Sequence, residues 1–402
     1  MLLKTRLATL RRTLPAASPA ERKLAQRIDR LRVSRDSGER IHKDDQTDLH
    51  QTLNGIEIAD GVILVEKRIA FGTTHGNRKL GAVGMGWNDL PDAVGLKLDN
   101  LLFLDTETTG LCGGSGSLAF MIGMARLEQD DFVLRQYLLT RFGGEQAMLK
   151  AVGSWIKRGD VLVTYNGKSF DLPLLSTRYR MVGLPDSLQP LPQVDLLYPV
   201  RRAFSGRWDD CRLARAERQL LGFYRHNDLP GAEAPGAWFD WIRLGDGARL
   251  PLVCRHNQWD LLSLALLLPQ LSEVYRSPMS YDANPLAVAR AYCKMGWEAR
   301  ALALLLELKQ ELEEDGLTEL ARLLKRGGER QAARAIWMSL SARGNQNARE
   351  QMAMHLEHDR RDYGAALAYA ELLYEDDGKQ QRCNRLRRKL AVTGRQSQIE
   401  YG

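Results

Sequence analysis

A two-part architecture is predicted for this 402-residue chain: an α/β region with a mixed sheet and helices packed on its faces, then an all-α region of tetratricopeptide-like helix pairs. Three observations predict it. Apolar, strand-like runs recur between about residues 98 and 165, first as a meander of three and then alternating with helical patterns. Past Met279 glycine becomes sparse, and Ala, Leu, Arg and Glu dominate. Three similar helical stretches follow, with matching pairs Ala301-Leu302, Ala335-Ile336 and Ala366-Leu367 spaced 34 and 31 residues apart. A period near 34 is that of stacked helix pairs, and small residues at such positions let paired helices pack closely.

Taken in order, residues 1–60 read as a basic N-terminal arm with a polar, mobile end. Ten Lys or Arg fall within 4–35, against Glu21 and Asp29. Residues 61–97 read as a short β and loop segment, starting from VILVEKRIAF and continuing rich in Gly and Pro. The α/β domain is placed at 98–278. Its expected strands are 101–105, 118–126, 132–139 and 161–165, and its first helices 145–157 and 170–181. Met148, Leu149, Val152, Trp155 and Ile156 recur at helical spacing along the first of these helices. The helical domain takes 279–402. Its segment 379–389 carries six basic residues, readable as a solvated helix face or as a contact for nucleic-acid phosphates.

Composition narrows the function. The hydrophobic fraction of 44% and charged fraction of 27% are those of a globular protein, and the net charge of +7 is compatible with a polyanionic partner. The five cysteines are scattered and form no CxxC pair, which argues against a disulfide framework or zinc site and points to a reducing, cytoplasmic setting. The N-terminus is basic but lacks the continuous apolar stretch of a secretory signal. No apolar run approaches the ~18–20 residues that span a bilayer, so no membrane association is expected.

The chemistry concentrates in three motifs. The first is LLFLDTETTGL at 101–111, an apolar strand ending in Asp105 and Glu107. Residues i and i+2 of a strand point to one side, so the two carboxylates project together, repel, and raise each other's pKa. A divalent cation relieves this, and hard oxygen ligands suit Mg²⁺ or Mn²⁺. The second is YNGKSFDLP, where Asp171 follows a strand, a glycine turn and a helix start. The third is RHNQWDL, where His256 and Asp260 lie four apart and share one face of a helix.

In order, these motifs resemble those of the DEDD exonuclease superfamily, with its ribonuclease H-like fold. Longer stretches resemble the YprB family, also called mitomycin repair factor B: DTETTGLCGGSGSLAFMIG, YNGKSFDLPLL, QVDLLYPVRR, CRLARAERQLLGFYRHNDLPGAEAPGAWFDW and RHNQWDLLSLA. The likeness covers about 60–400, including the helical region. It implies a metal-dependent 3′–5′ exonuclease using two divalent cations, Mg²⁺ or Mn²⁺, about 4 Å apart. Asp105 then bridges both cations, Glu107, Asp171 and Asp260 complete the cage, and His256 acts as general base. Members with a histidine base commonly space it five before the aspartate; the spacing of four here is that of members with tyrosine. Thr108 and Leu111 are implied to meet the terminal nucleotide, and Asn166 to lie near the phosphate. Asp195 is read as a carboxylate behind the site or as a cap of the next helix. DNA is the implied substrate because that family is tied to DNA repair, and a helicase the implied partner of the repeats. RNA 3′-end trimming fits the same residues. A repeat-based interaction protein with a vestigial nuclease fold is the alternative of another class, and intact acids at all four positions argue against it.

Overall fold

The computed structural model describes residues 49–110, 116–129 and 131–400. The basic arm through Asp48, and Leu111, Cys112 and the glycine-rich residues up to Ser115, lie outside them. The described residues from Leu49 onward form one compact unit.

Its centre is a seven-stranded mixed sheet in the order β1-β2-β7-β6-β5-β8-β9. The strands are β1 (Ile56–Ala59), β2 (Val62–Ala70), β5 (Leu101–Thr108), β6 (Ala119–Glu128), β7 (Asp131–Leu139), β8 (Val161–Thr164) and β9 (Gln193–Asp195), with β3 (Thr74–His75) and β4 (Arg78–Lys79) forming a separate ribbon. The expected meander is β5-β6-β7, antiparallel throughout, while β8 and β9 add to β5 in parallel. The segment read as a short β piece before the domain belongs to the sheet itself: β2 pairs with β7 along its full length, Val62 opposite Leu139 through Ala70 opposite Asp131. The sheet thus begins well before residue 98, and β1 lies within what was read as the arm.

Alternation along β5 builds two cores. Leu101 and Phe103 join Leu134, Val163 and the later part of a long helix on one face; Leu102 and Leu104 join Val133, Leu162 and Met148 on the other. The helices of this region are α1 (Leu49–Leu53), α2 (Glu145–Trp155), α3 (Asp171–Met181), α4 (Leu197–Phe204), α5 (Leu213–Ala216), α6 (Ala234–Leu244) and α7 (Leu250–Arg276). The short α5 runs on into a π-helical turn, Glu217–Leu221, that ends at left-handed Gly222.

Beyond α7 the chain is helical: α8 (Pro285–Lys294), α9 (Glu298–Glu307), α10 (Glu314–Arg326), α11 (Arg330–Ala342), α12 (Gln346–His355), α13 (Tyr363–Glu371) and α14 (Asp377–Glu400). Of the matched alanines, Ala301 and Ala366 are buried, as are Ala333, Ala348, Ala353 and Ala370, whereas Ala335 is exposed. The hydrophobic core does not stop at the boundary read at 278. One continuous cluster takes in Leu101, Tyr275, Tyr292, Leu320 and Trp337. Polar ties cross the same boundary, since the Tyr292 hydroxyl donates to the Tyr275 carbonyl at 2.9 Å and the Asn284 amide to Ala203 at 2.8 Å.

The basic segment 379–389 is largely neutralised within the fold. Lys379, Arg382, Arg385, Arg387 and Lys389 pair with Glu375, Glu350, Glu357, Glu371 and Glu357 respectively. Glu357 is buried, and the hydrogen bonds of Arg385, followed by those of Lys389, hold its carboxyl down at about 2. A carboxylate with a depressed native pKa adds stability above its unfolded value and loses it as pH falls through the native value. Acidification from about pH 4.5 to 2 is therefore expected to loosen the docking of α14. Glu357→Ala should cost about 2 kcal/mol at pH 7, less than a fully buried pair because both partners are part-exposed, and should flatten this acid limb. Urea unfolding of the two chains across that pH range checks it.

Candidate functional site

The site forms where β5 ends. Asp105 and Glu107 leave β5 on the face that carries Leu101 and Phe103, and Asn257 of α7 lies against Asp105. Glycine permits that approach: Gly123 stands opposite Asp105 in β6, and a Cβ there meets Asn257 of α7 within 2.0 Å. The Asn257 amide fills the space and donates to Asp105 Oδ2 at 2.8 Å. Gln136 of β7 donates to Asn257 Oδ1 at 2.9 Å and to the Cys254 carbonyl at 2.6 Å, locking α7 to the sheet.

Asp171 is the first residue of α3, as the helix-start reading required. Thr106, on the opposite face of β5 from Asp105, donates its hydroxyl to Asp171 at 2.5 Å. The turn before α3 is fixed by Asp195, whose Oδ1 accepts from the Asn166 amide at 2.7 Å and whose Oδ2 accepts from the Lys168 amide at 3.1 Å. Asp195 also accepts from the Leu197 amide at 3.1 Å, so it serves both as a carboxylate behind the site and as a cap for α4. Asn166 takes a left-handed conformation, φ 67°, which asparagine tolerates.

The carboxylates sense one another. Asp105 is raised well above the usual carboxylate range by burial, then by Asp260, Asp171 and Glu107. Glu107 is raised likewise, by burial and then by Asp260 and Asp171. Burial pushes Asp171 up to about 6, against the pull of Thr106. Ligand atoms of Glu107, His256 and Asp260 all lie within 4.8 Å of one another. Carboxylates held this close against their own repulsion form a hard-oxygen donor set that fits a divalent cation. The structure thus gathers Asp105, Glu107, Asp171, His256 and Asp260. Thr108, with its hydroxyl bound to the Gly110 carbonyl at 3.0 Å, stands at the strand end, and Leu111 lies outside the described residues.

Three groups at the site were absent from the sequence reading. Asp228 bonds His256 Nδ1 at 2.9 Å, while Nε2 faces Asp260 Oδ2 at 3.5 Å. Arg225 contacts Asp260, Asp228 and the His256 ring. Glu217, fully buried at the π turn, pairs with Arg225. All three stand in the stretch quoted for the YprB likeness, where a cluster of charge before a buried helix is the only signal they leave.

A mixed sheet with acidic groups at the end of an inner strand and on the crossing helix defines a nuclease domain of ribonuclease H type, and residues 102–272 match the RNase H superfamily. The chain belongs to the YprB family within that superfamily. It is 33% identical over 302 residues to the uncharacterized protein YprB of Bacillus subtilis, a match covering 71% of each chain. The substrate of such a domain is nucleic acid. Among the described residues no helix is long and apolar enough to cross a membrane.

Proposed function

We propose that this protein is a metal-dependent 3′–5′ exonuclease that shortens DNA strands, acting in DNA repair in the cytoplasm. One observation carries the reading: Asp105, Glu107, Asp171 and Asp260, from three remote segments, converge on the end of one strand, where burial and their mutual repulsion raise the pKa of Asp105, Glu107 and Asp171. Their donor set suits two Mg²⁺ or Mn²⁺ ions, which when bound stabilise charge on the phosphate and acidify the attacking water. The protein's own contribution is position. Asn257 orients Asp105, Thr106 orients Asp171, and Asp228 holds His256 Nδ1 so that Nε2 is the nitrogen turned to the carboxylates. His256 accepts the proton of the attacking water at Nε2. Thr108, Leu111 and Asn166 are assigned to the terminal nucleotide and its phosphate. The helix pairs α8–α9, α10–α11 and α12–α13 are assigned to a tetratricopeptide-like array that holds a protein partner, a helicase in the family-based reading.

Matched 5′-labelled DNA and RNA strands, single and duplex, test this with Mg²⁺ or Mn²⁺. The expected result is a DNA ladder shortening from the 3′ end, absent for Asp105→Ala and merely slowed, by about 10²-fold, for His256→Ala. Equal residual activity in the two variants contradicts the roles given to them. A ladder from RNA alone turns the reading to RNA trimming.

A further inference from the structure

Arg225 makes more contacts than the proposed chemistry needs. Its Nε donates to Glu217 Oε2 at 2.8 Å and its Nη2 to Glu217 Oε1 at 2.7 Å, a two-pronged pair with a carboxylate that has no exposed surface. Glu217 also accepts from Ser263 at 2.5 Å, and the Ser263 hydroxyl lies 2.8 Å from Nε2 of buried His75. That end of the guanidinium is anchored away from the cleft. The other end enters it: Nη2 also bonds Asp260, and Nη1 reaches Asp228 at 3.3 Å and His256 Nδ1 at 3.2 Å. Among the described residues, Arg225–Asp260 is the only ion pair that joins an arginine or lysine to any of Asp105, Glu107, Asp171 and Asp260.

We propose that Arg225 is an internal counter-ion of the metal site: it holds Asp260 while the site is metal-free, and yields that carboxylate to an arriving divalent cation while keeping its grip on Glu217. This rests on the metal-binding reading above. An arginine cannot shed its proton, so its charge leaves the cage only if the guanidinium moves. The bidentate hold on Glu217 makes a short movement sufficient, because one fork stays satisfied when the contact to Asp260 opens. Two effects then set the affinity in the same direction: the cation competes for Asp260, and it enters against a fixed positive charge. An arginine that merely braced Asp260 predicts the opposite sign, because its loss leaves the ligand loose and weakens binding.

Calorimetric titration of Mn²⁺ alone into the full chain at pH 8 separates these. Arg225→Met by itself strands the buried Glu217 charge, so Glu217→Gln/Arg225→Met is the second variant; glutamine still accepts from Ser263, and position 217 keeps no unpaired charge. The expected result is Mn²⁺ binding about tenfold tighter than in the unaltered chain, with a larger Mn²⁺-induced rise in Tm. Arg225→Lys, which keeps the charge but loses the fork, should fall between. Unchanged or weaker binding by the folded double variant overturns the inference alone. Failure of the unaltered chain to take up Mn²⁺ overturns the metal reading and the inference with it.

Discussion

Replacing Asp105 with Asn is expected to lower nuclease activity about a thousandfold, equivalent to about 4 kcal/mol of lost transition-state stabilisation, without lowering the stability of the metal-free chain. The two halves of that result come from one environment. Asp105 stands at the strand end facing Asp260, Asp171 and Glu107, and together with burial they raise its pKa. Its charge therefore opposes folding unless a cation is present. Asparagine keeps the oxygen that accepts from Asn257, now 2.8 Å away, and removes the repelled charge. Thermal unfolding with and without Mn²⁺, beside the strand-degradation assay, checks both halves. A Tm several degrees lower in the metal-free variant would assign Asp105 a structural role instead; undiminished degradation would remove it from the chemistry.

The second large effect is expected at Gly123→Ala, a position with no functional group. The added methyl lies 2.0 Å from Asn257 Oδ1 and 2.6 Å from Nδ2, closer than atoms can approach. Asn257 is fully buried and bonded on both sides, to Asp105 and to Gln136, so it has nowhere to retreat without stranding both partners. Overpacking and orphaned polar groups together are expected to cost about 3 kcal/mol in urea unfolding. Activity should fall about 10–100-fold as α7 lifts and Asp260 with it. Gly123→Ala/Asn257→Ala restores room but not the hydrogen bonds, and should recover part of the stability and little of the activity. A Gly123→Ala chain as stable and active as the parent would mean that α7 is not seated on β6 in this way.

Local patterns account for what the sequence disclosed. The alternation in LLFLDTET is a property of one strand, so Asp105 and Glu107 could be set on one face from eight letters, and the four-residue step from His256 to Asp260 is a property of one helix. The rest depended on partners far apart in the chain. VILVEKRIA reads as a strand, but nothing in it names β7 as its neighbour. Gly123 lies inside the expected strand 118–126, and only the structure, with α7 laid across it, gives it a role. Arg225, Asp228 and Glu217 stand on a π turn and an irregular loop, where no period exists to follow, and their meaning appears only when α7 brings Asp260 and His256 against them. Asn166 was matched to a motif by resemblance; the structure adds that its backbone, held by Asp195, shapes the turn leading to Asp171.

The apolar seam running from Leu101 through Tyr275 to Trp337 makes the sheet region and the helical region share one core. Where halves are joined by a string, cargo on one wanders relative to the cutting end of the other. Here the two regions are welded at α7 and α8, so the helical region stands at one constant reach from the carboxylates. The same weld means that a gene cut near codon 278 yields two raw surfaces rather than two working parts, so the halves can be inherited together far more readily than they can be shuffled.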